Sequence, residues 1–262
     1  MTKTKRYSVR IGWLYPDLMS TYGDRGNVMI LTKRCEWRGI GAEVIAITPG
    51  TDGAQIDSVD LLFMGGAQDR QQEIVKKDLI GAKEGYLRRA VARGIPGLFV
   101  CGAYQFLGAY YIAADGTKIE GLGIYDLYTK SPGLKAKRLI GDSIVRPFLE
   151  GFGDALIVGF ENHGGRTYLG EGMTPFAEVV SGYGNNGADK TEGVIHNHTI
   201  GTYLHGPILS KNPELADHLI RKALEMKYGT GAGLSPIAPL WEKEARDTVI
   251  TRYLKSTPEP AR

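Results

Sequence analysis

Cysteine is scarce in this chain. Cys35 and Cys101 are the only two thiols in 262 residues. Two cysteines make no disulfide framework, and a reducing cytoplasm is the expected setting. An excess of one charge is lacking too. The formal net charge is +3, and there is no basic block or basic stripe with interleaved aromatics, so nucleic-acid binding is not expected. No apolar run approaches the roughly 20 residues a bilayer span needs, so direct membrane insertion is not expected. The N-terminal MTKTKRYSVRIGWLYP is basic but has no apolar core of a secretory leader. There is no G-x-x-x-x-G-K-S/T loop for ATP phosphates. His196 and His198 alternate in IHNHT, but no further ligands stand at metal-site spacing, so no metal is expected. GYGNNG, residues 182–187, matches G-x-G-x-x-G, but no helix follows, and a tight β-turn is the expected structure.

What is present is an alternation of short apolar runs and helical spacing. SVRIGWLY, AEVIAIT, VDLLFMGG and GLFV read as strands. Asn27–Ile40, residues 69–93 and the stretch from Gly102 read as helices, with Asn27 a cap for the first. Continuous apolar strands suit burial on both faces, which predicts an α/β fold with a doubly wound, mostly parallel sheet flanked by helices. After about residue 115 short β-like pieces separated by glycines predict an additional β layer. A helix returns at Asn212–Gly229, with Pro213 in its first turn. The chain reads as a single domain, with a core of about 8–230 and a C-terminal helix and tail over 231–262.

Sites in such sheets gather at the C-terminal ends of strands. Cys101 stands at one of these ends, in GLFVCGAYQFLG. A helix N-terminus favours a thiolate, and Gly102 permits the sharp turn behind it. The same corner also suits a small buried packing residue, and the corner alone leaves both readings open. Cys35, mid-helix, reads as packing. A thiol nucleophile needs an imidazole base. His205, in GTYLHGPIL, and His163, in GFENHGGRT, stand at strand ends, whereas His218 lies on the last long helix.

With FVCGAYQFLG, GTYLHGPIL and GFENHGGRT in view, the chain resembles the class I, triad-type glutamine amidotransferases and their CobB/CobQ-like branch. LYPDLMSTYGDRGNVMIL, MGGAQDRQQ, KIEGLGIYDLYT, RLIGDSIV and YLHGPILSKNPELAD look like the glutaminase subunits of lipid II isoglutaminyl synthases. The resemblance implies hydrolysis of L-glutamine to glutamate and ammonia through a thioester on Cys101, with His205 as base. It implies backbone oxyanion donors at Gly66 and Gly102, and Arg138 as the group that binds the substrate carboxylate. Gln105 is a candidate for the pocket wall. The resemblance further implies a heterodimer with a MurT-like Mur-ligase subunit that amidates the D-glutamate of lipid II. ATP and magnesium would sit on that partner, with no cofactor in this chain.

Most triad amidotransferases carry a glutamate two residues after the histidine; here that position is Pro207. The third member is therefore expected from the partner, with Glu161 the candidate within this chain. A histidine without an orienting carboxylate would leave the isolated subunit slow. Two alternatives stand beside this reading. One is a glutaminase serving another CobB/CobQ-like amidase. The other is a non-catalytic binding module in which Cys101 only packs.

Overall fold

A computed structural model describes residues 7–67, 69–238 and 240–254. Its first half alternates as the apolar runs predict. Strand β1 (Ser8–Leu14) leads to α1 (Arg25–Glu36) and β2 (Gly41–Ile47). Strand β3 (Leu61–Met64) leads through α2 (Asp69–Asp78) and α3 (Glu84–Ala92) to β4 (Gly97–Val100). A short helix, α4 (Gly102–Leu107), follows Cys101 at once. The second half runs through β5 (Tyr110–Ile112), β6 (Lys118–Glu120), β7 (Leu127–Lys130), β8 (Leu139–Pro147) and β9 (Ile157–His163). It continues with β10 (Arg166–Leu169), β11 (Ala177–Ser181), β12 (Thr191–Glu192), β13 (Val194–His196) and β14 (Thr199–Thr202). Helices α5 (Pro213–Tyr228) and α6 (Leu240–Leu254) close the chain.

The central sheet has the order β13-β14-β4-β3-β1-β2. Every pairing in it is parallel except that of the edge strand β13 with β14. Strands β3 and β4 are buried at every residue, which is why they carry no polar side chain. Leu61 and Phe63 enter one core layer, and Leu62 and Met64 enter the other. The pleat thus sends alternate residues of one apolar run into opposite cores. The additional β layer is two four-stranded sheets, β10-β7-β5-β6 and β12-β11-β8-β9.

Three local expectations change. The helix after Cys101 stops at Leu107, and Tyr110–Ile112 is a strand. Gly108 packs so closely on Leu127 that a Cβ there would lie 2.3 Å from Leu127 Cδ1. The long helix over 69–93 is divided by a π-turn, Leu79–Lys83. Lys83 is fully buried and pairs with Asp78, which also accepts a hydrogen bond from the Tyr15 hydroxyl. A straight helix would carry that ammonium elsewhere. Asn27 lies inside α1 as a tether rather than as its cap, whereas Asn212 stands at the N-cap of α5 and turns its side chain to a tether instead of a cap bond. Asn27 Oδ1 accepts from the Leu209 N–H, and Asn212 bonds both backbone groups of Val158. The first helix starts at Arg25, so the residue before it is Asp24. The tail STPEPAR lies outside the described residues.

No helix among the described residues is long and apolar enough to cross a membrane. Cys35 is buried in the core, and burial pushes its thiol up to about 12, which fits a packing role.

Candidate active site

The C-terminal ends of β1, β3, β4 and β14 meet at one edge of the central sheet, and the segments leaving them form the site. Cys101 follows β4 with φ 52° and ψ −103°. A side chain rarely adopts that left-handed φ, and the strain is held in place by two backbone bonds. The Cys101 N–H donates to Thr202 O at 2.8 Å, and its carbonyl accepts from Gln105 N at 3.0 Å. The thiol therefore stands off the sheet at the mouth of a cleft of about 680 Å³. Gln105, Arg138 and His163 line the same cleft.

His205 follows β14 and is buried, with 1% of its surface exposed. Its Nδ1–H donates to Asp24 Oδ1 at 3.0 Å. Its Nε2 is buried with no hydrogen-bond partner among the described residues. Burial alone would lower the His205 pKa. The hydrogen bond His205 donates to Asp24 and the adjacent Cys101 side chain outweigh burial and push it up to about 10. Asp24 holds one proton on Nδ1, so Nε2 is the nitrogen left to gain and lose a proton, and the raised pKa makes it a strong acceptor for one.

Asp24 thus corrects the expectation about the third member. It lies within this chain and is fully buried. Glu161 does not reach His205. Its two carboxylate oxygens accept from the Tyr183 and Gly184 N–H groups, at 2.7 and 2.9 Å. The GYGNNG segment is the tight turn expected of it, and its amides hold this internal carboxylate. In sequence, an aspartate just before a helix reads as an ordinary cap. The available signal was an acid in the loop leaving β1 at the sheet's C-terminal edge.

Asp24 also corrects one oxyanion donor. The Gly66 N–H donates to Asp24 Oδ2 at 2.7 Å, so it is occupied. Gly66 O accepts from the Thr21 N–H at 3.2 Å. That peptide is trans, so the next amide, Ala67 N–H, points away from Thr21. The Ala67 N–H makes no hydrogen bond among the described residues. A Cβ placed on Gly102 would lie 3.4 Å from the Ala67 nitrogen, so the Ala67 and Gly102 amides are neighbours beside Cys101. Glycine at 65 and 66 is imposed by close approach. A Cβ on Gly65 would lie 2.5 Å from Met19 O, and one on Gly66 would lie 2.9 Å from His205 Cε1.

Arg138 precedes β8 and reaches the cleft from the side of the two outer sheets. Asn162 holds it through two acceptors, both at 2.8 Å: Oδ1 for the Nε–H and the backbone carbonyl for Nη2. Gln105 Nε2 donates to the Tyr203 hydroxyl at 3.1 Å. His163 does not join Cys101 as a base. Its Nδ1–H donates to Gly165 O, and its ring stacks on Tyr203 at 3.6 Å between centroids. His196 and His198 lie with His218 around a separate surface cleft.

Beneath the site, Glu192 anchors the run that ends in His205. Its Oε1 accepts from the Thr202 hydroxyl at 2.6 Å and from the Tyr203 N–H at 2.8 Å. Burial raises the Glu192 carboxyl to about 8, against its hydrogen bonds and with help from nearby Glu161. Between its unfolded pKa, near 4.5, and about 8 the native state holds one more proton than the unfolded chain. This contribution to stability is therefore complete below the unfolded pKa and lost as pH rises through the folded one. Glu192→Gln is expected to remove that slope. Wild type should lose on the order of 3 kcal/mol more than the variant between pH 5 and pH 8. Denaturant unfolding across that range checks it, and parallel curves for the two proteins would refute it.

A strained cysteine at a strand-to-helix turn, with a neighbouring imidazole hydrogen-bonded to a buried carboxylate, has the arrangement of a cysteine–histidine–aspartate triad on a doubly wound sheet. The chain belongs to the CobB/CobQ-like glutamine amidotransferase domain family, whose match spans residues 10–213. It is 47% identical over 211 residues to the Lipid II isoglutaminyl synthase (glutamine-hydrolyzing) subunit GatD of Staphylococcus aureus, strain N315. That alignment covers 80% of this chain and 82% of the relative. The subunit of the same name from Streptococcus pneumoniae, strain ATCC BAA-255 / R6, is 41% identical over 224 residues, covering 85% and 83%. Among solved structures, a ThuA-like protein from Bacteroides uniformis shares the fold. Its TM-score is 0.50 at 8% identity, covering 86% of this chain and 94% of that one.

Proposed function

We propose that this chain is the glutaminase subunit of a lipid II isoglutaminyl synthase. In this reading it hydrolyses L-glutamine and passes ammonia to a MurT-like Mur-ligase partner in the cytoplasm. The partner would activate the D-glutamate carboxylate of lipid II with ATP and magnesium, and ammonia would displace the activating group to give the amide. The observation that carries the reading is the Cys101–His205–Asp24 constellation, set in a chain 47% identical to a subunit of that name.

In the cycle proposed here, the glutamine α-carboxylate is gripped by Arg138. His205 Nε2 takes the Cys101 proton as the sulfur attacks the side-chain amide carbon. The resulting oxyanion is met by the N–H groups of Ala67 and Gly102, each worth up to about 3–4 kcal/mol in the transition state. His205 returns the proton to the departing nitrogen, ammonia leaves, and a thioester remains. Water then attacks, giving its proton to His205, and the C–S bond breaks to release glutamate and restore the thiol. Asp24 keeps the proton on Nδ1 throughout and stabilises the imidazolium formed at each transfer.

The test is reconstitution of the chain with its ligase partner, lipid II, ATP, magnesium and glutamine. The expected product is lipid II one amide richer, with one glutamate formed per amide. Glutamine hydrolysis without lipid II amidation would assign the chain to another amidase of the same family. No hydrolysis at all would leave the non-catalytic reading.

A further inference from the structure

Arg138 is a long, exposed side chain on a loop. Nothing in its own flexible stem aims its guanidinium, yet a carboxylate is bound well only when the planar fork is held in place. Among the described residues its hydrogen bonds all go to Asn162 in β9. Asn162 Oδ1 accepts from Arg138 Nε–H, and the Asn162 backbone carbonyl accepts from Nη2. Both bonds use the lateral edge of the guanidinium. The end-on edge, built from Nη1 and the second Nη2 hydrogen, is left for a ligand. Cys101 lines the same cleft as Arg138.

The amide of Asn162 could serve Arg138 with only one of its two ends, because arginine donates and never accepts. The amide orientation is set by a third bond. Asn162 Nδ2 donates to the Tyr22 hydroxyl at 2.8 Å. Tyr22 is itself fixed, with φ 52° in the left-handed region and its ring edge-on to His205 at 5.0 Å between centroids. A hydrogen-bonded chain therefore runs from the loop that carries Asp24, through Asn162, to the guanidinium.

We propose that Asn162 is a positioning residue for substrate binding. It turns the Arg138 fork so that its free edge faces the α-carboxylate of an amino-acid substrate, and Tyr22 sets the amide of Asn162 for that task. The inference rests on the glutaminase reading above. It assigns to the asparagine of ENHGG a role in selecting substrates that carry an α-carboxylate over simple amides.

The experiment compares Asn162→Leu, Tyr22→Phe and the double variant, in the full chain with its ligase partner present. Asn162→Leu is expected to raise the glutamine KM tenfold or more while kcat falls less than threefold. Tyr22→Phe is expected to raise KM about twofold to fivefold, because the amide can still sample the correct orientation. The double variant should be no worse than Asn162→Leu alone, since both act through one guanidinium. A second readout separates positioning from folding. 6-Diazo-5-oxo-L-norleucine carries the α-carboxylate to Cys101, and iodoacetamide does not. Asn162→Leu should slow labelling by the first reagent tenfold and leave the second within twofold. An unchanged KM, or equal slowing of both reagents, would overturn the proposal. If the wild-type chain is not labelled by the glutamine-shaped reagent at all, the glutaminase reading itself falls.

Discussion

Cys101→Ala is expected to abolish glutamine hydrolysis and the glutamine-dependent amidation that draws on it, while amidation driven by added ammonium survives. The size of the loss follows from the role. Removing the nucleophile removes the covalent path, and such losses run to about 10⁵-fold or more in kcat. The surviving reaction follows from the division of labour, because free ammonia at the ligase bypasses the cysteine, the histidine and the cleft together. The substitution itself is conservative for the fold. Cys101 is only partly buried, and its backbone is tied by Thr202 and Gln105 rather than by its sulfur. Measuring glutamate release and ammonium-driven amidation on one preparation gives both halves. A Cys101→Ala protein that still releases glutamate at a tenth of the wild-type rate would assign the thiol to packing.

Asp24→Asn is expected to lower kcat about 10³- to 10⁴-fold, with glutamine KM changed little. The aspartate accepts two hydrogen bonds at once, from His205 Nδ1 and from the Gly66 N–H. An asparagine has one oxygen to offer. If that oxygen stays with Gly66, the NH₂ group faces His205 Nδ1 and forces the proton onto Nε2, which can no longer take one from sulfur. If it stays with His205, the NH₂ group meets the Gly66 N–H and pushes the Gly66–Ala67 peptide away. The first outcome disables the base, with losses of about 10⁴-fold where this wrong-tautomer effect is known. The second disturbs the Ala67 amide, an effect of about 10²- to 10³-fold for an oxyanion donor. Steady-state kinetics on the isolated chain and on the complex both read this out. Because the orienting carboxylate belongs to this chain, the isolated chain is expected to hydrolyse glutamine unaided. An isolated wild-type chain as slow as Asp24→Asn would return the orienting role to the partner.

Pro207 stands where a glutamate is usual, and that is the ground for expecting a slow isolated subunit; Asp24 on His205 removes the ground and leaves the rate to be measured. Inspection of neighbours two residues along a chain finds carboxylates only when they share a segment with the histidine. Asp24 lies 181 residues away. Its segment is a loop with no periodicity, between a strand and a helix, and its sequence supports a cap as readily as a catalytic partner. The Gly66 N–H is likewise turned to Asp24 by contacts remote in sequence. A Gly-Gly pair at a strand end marks close approach of two backbones, which the structure has, but it does not say which of two successive amides points inward. That direction is set by the Thr21 and Asp24 contacts on the far side of the peptide.

The elements legible beforehand were those written into short windows. Continuous apolar runs such as LLFM and GLFV predict strands covered on both faces, and the parallel sheet follows from their alternation with helices. The run GLFVCG places a thiol at the end of β4 because strand, cysteine and glycine are consecutive. His205 is placed by the same kind of local rule, at a strand end before Gly-Pro. The outer sheets were legible only as β-like pieces. Their pairing into β10-β7-β5-β6 and β12-β11-β8-β9 follows register and hydrogen bonding between distant strands.

The sequence by itself determined the class of sheet, the thiol at its corner and the histidine at the neighbouring strand end, because each depends on residues adjacent in the chain. Only the tertiary structure decided which carboxylate orients His205, which amide is free beside Cys101 and what aims Arg138. Each of those is a choice of hydrogen-bond partner made between loops far apart in sequence. The directions of N–H and C=O groups there are set by how the packed strands bring the loops together.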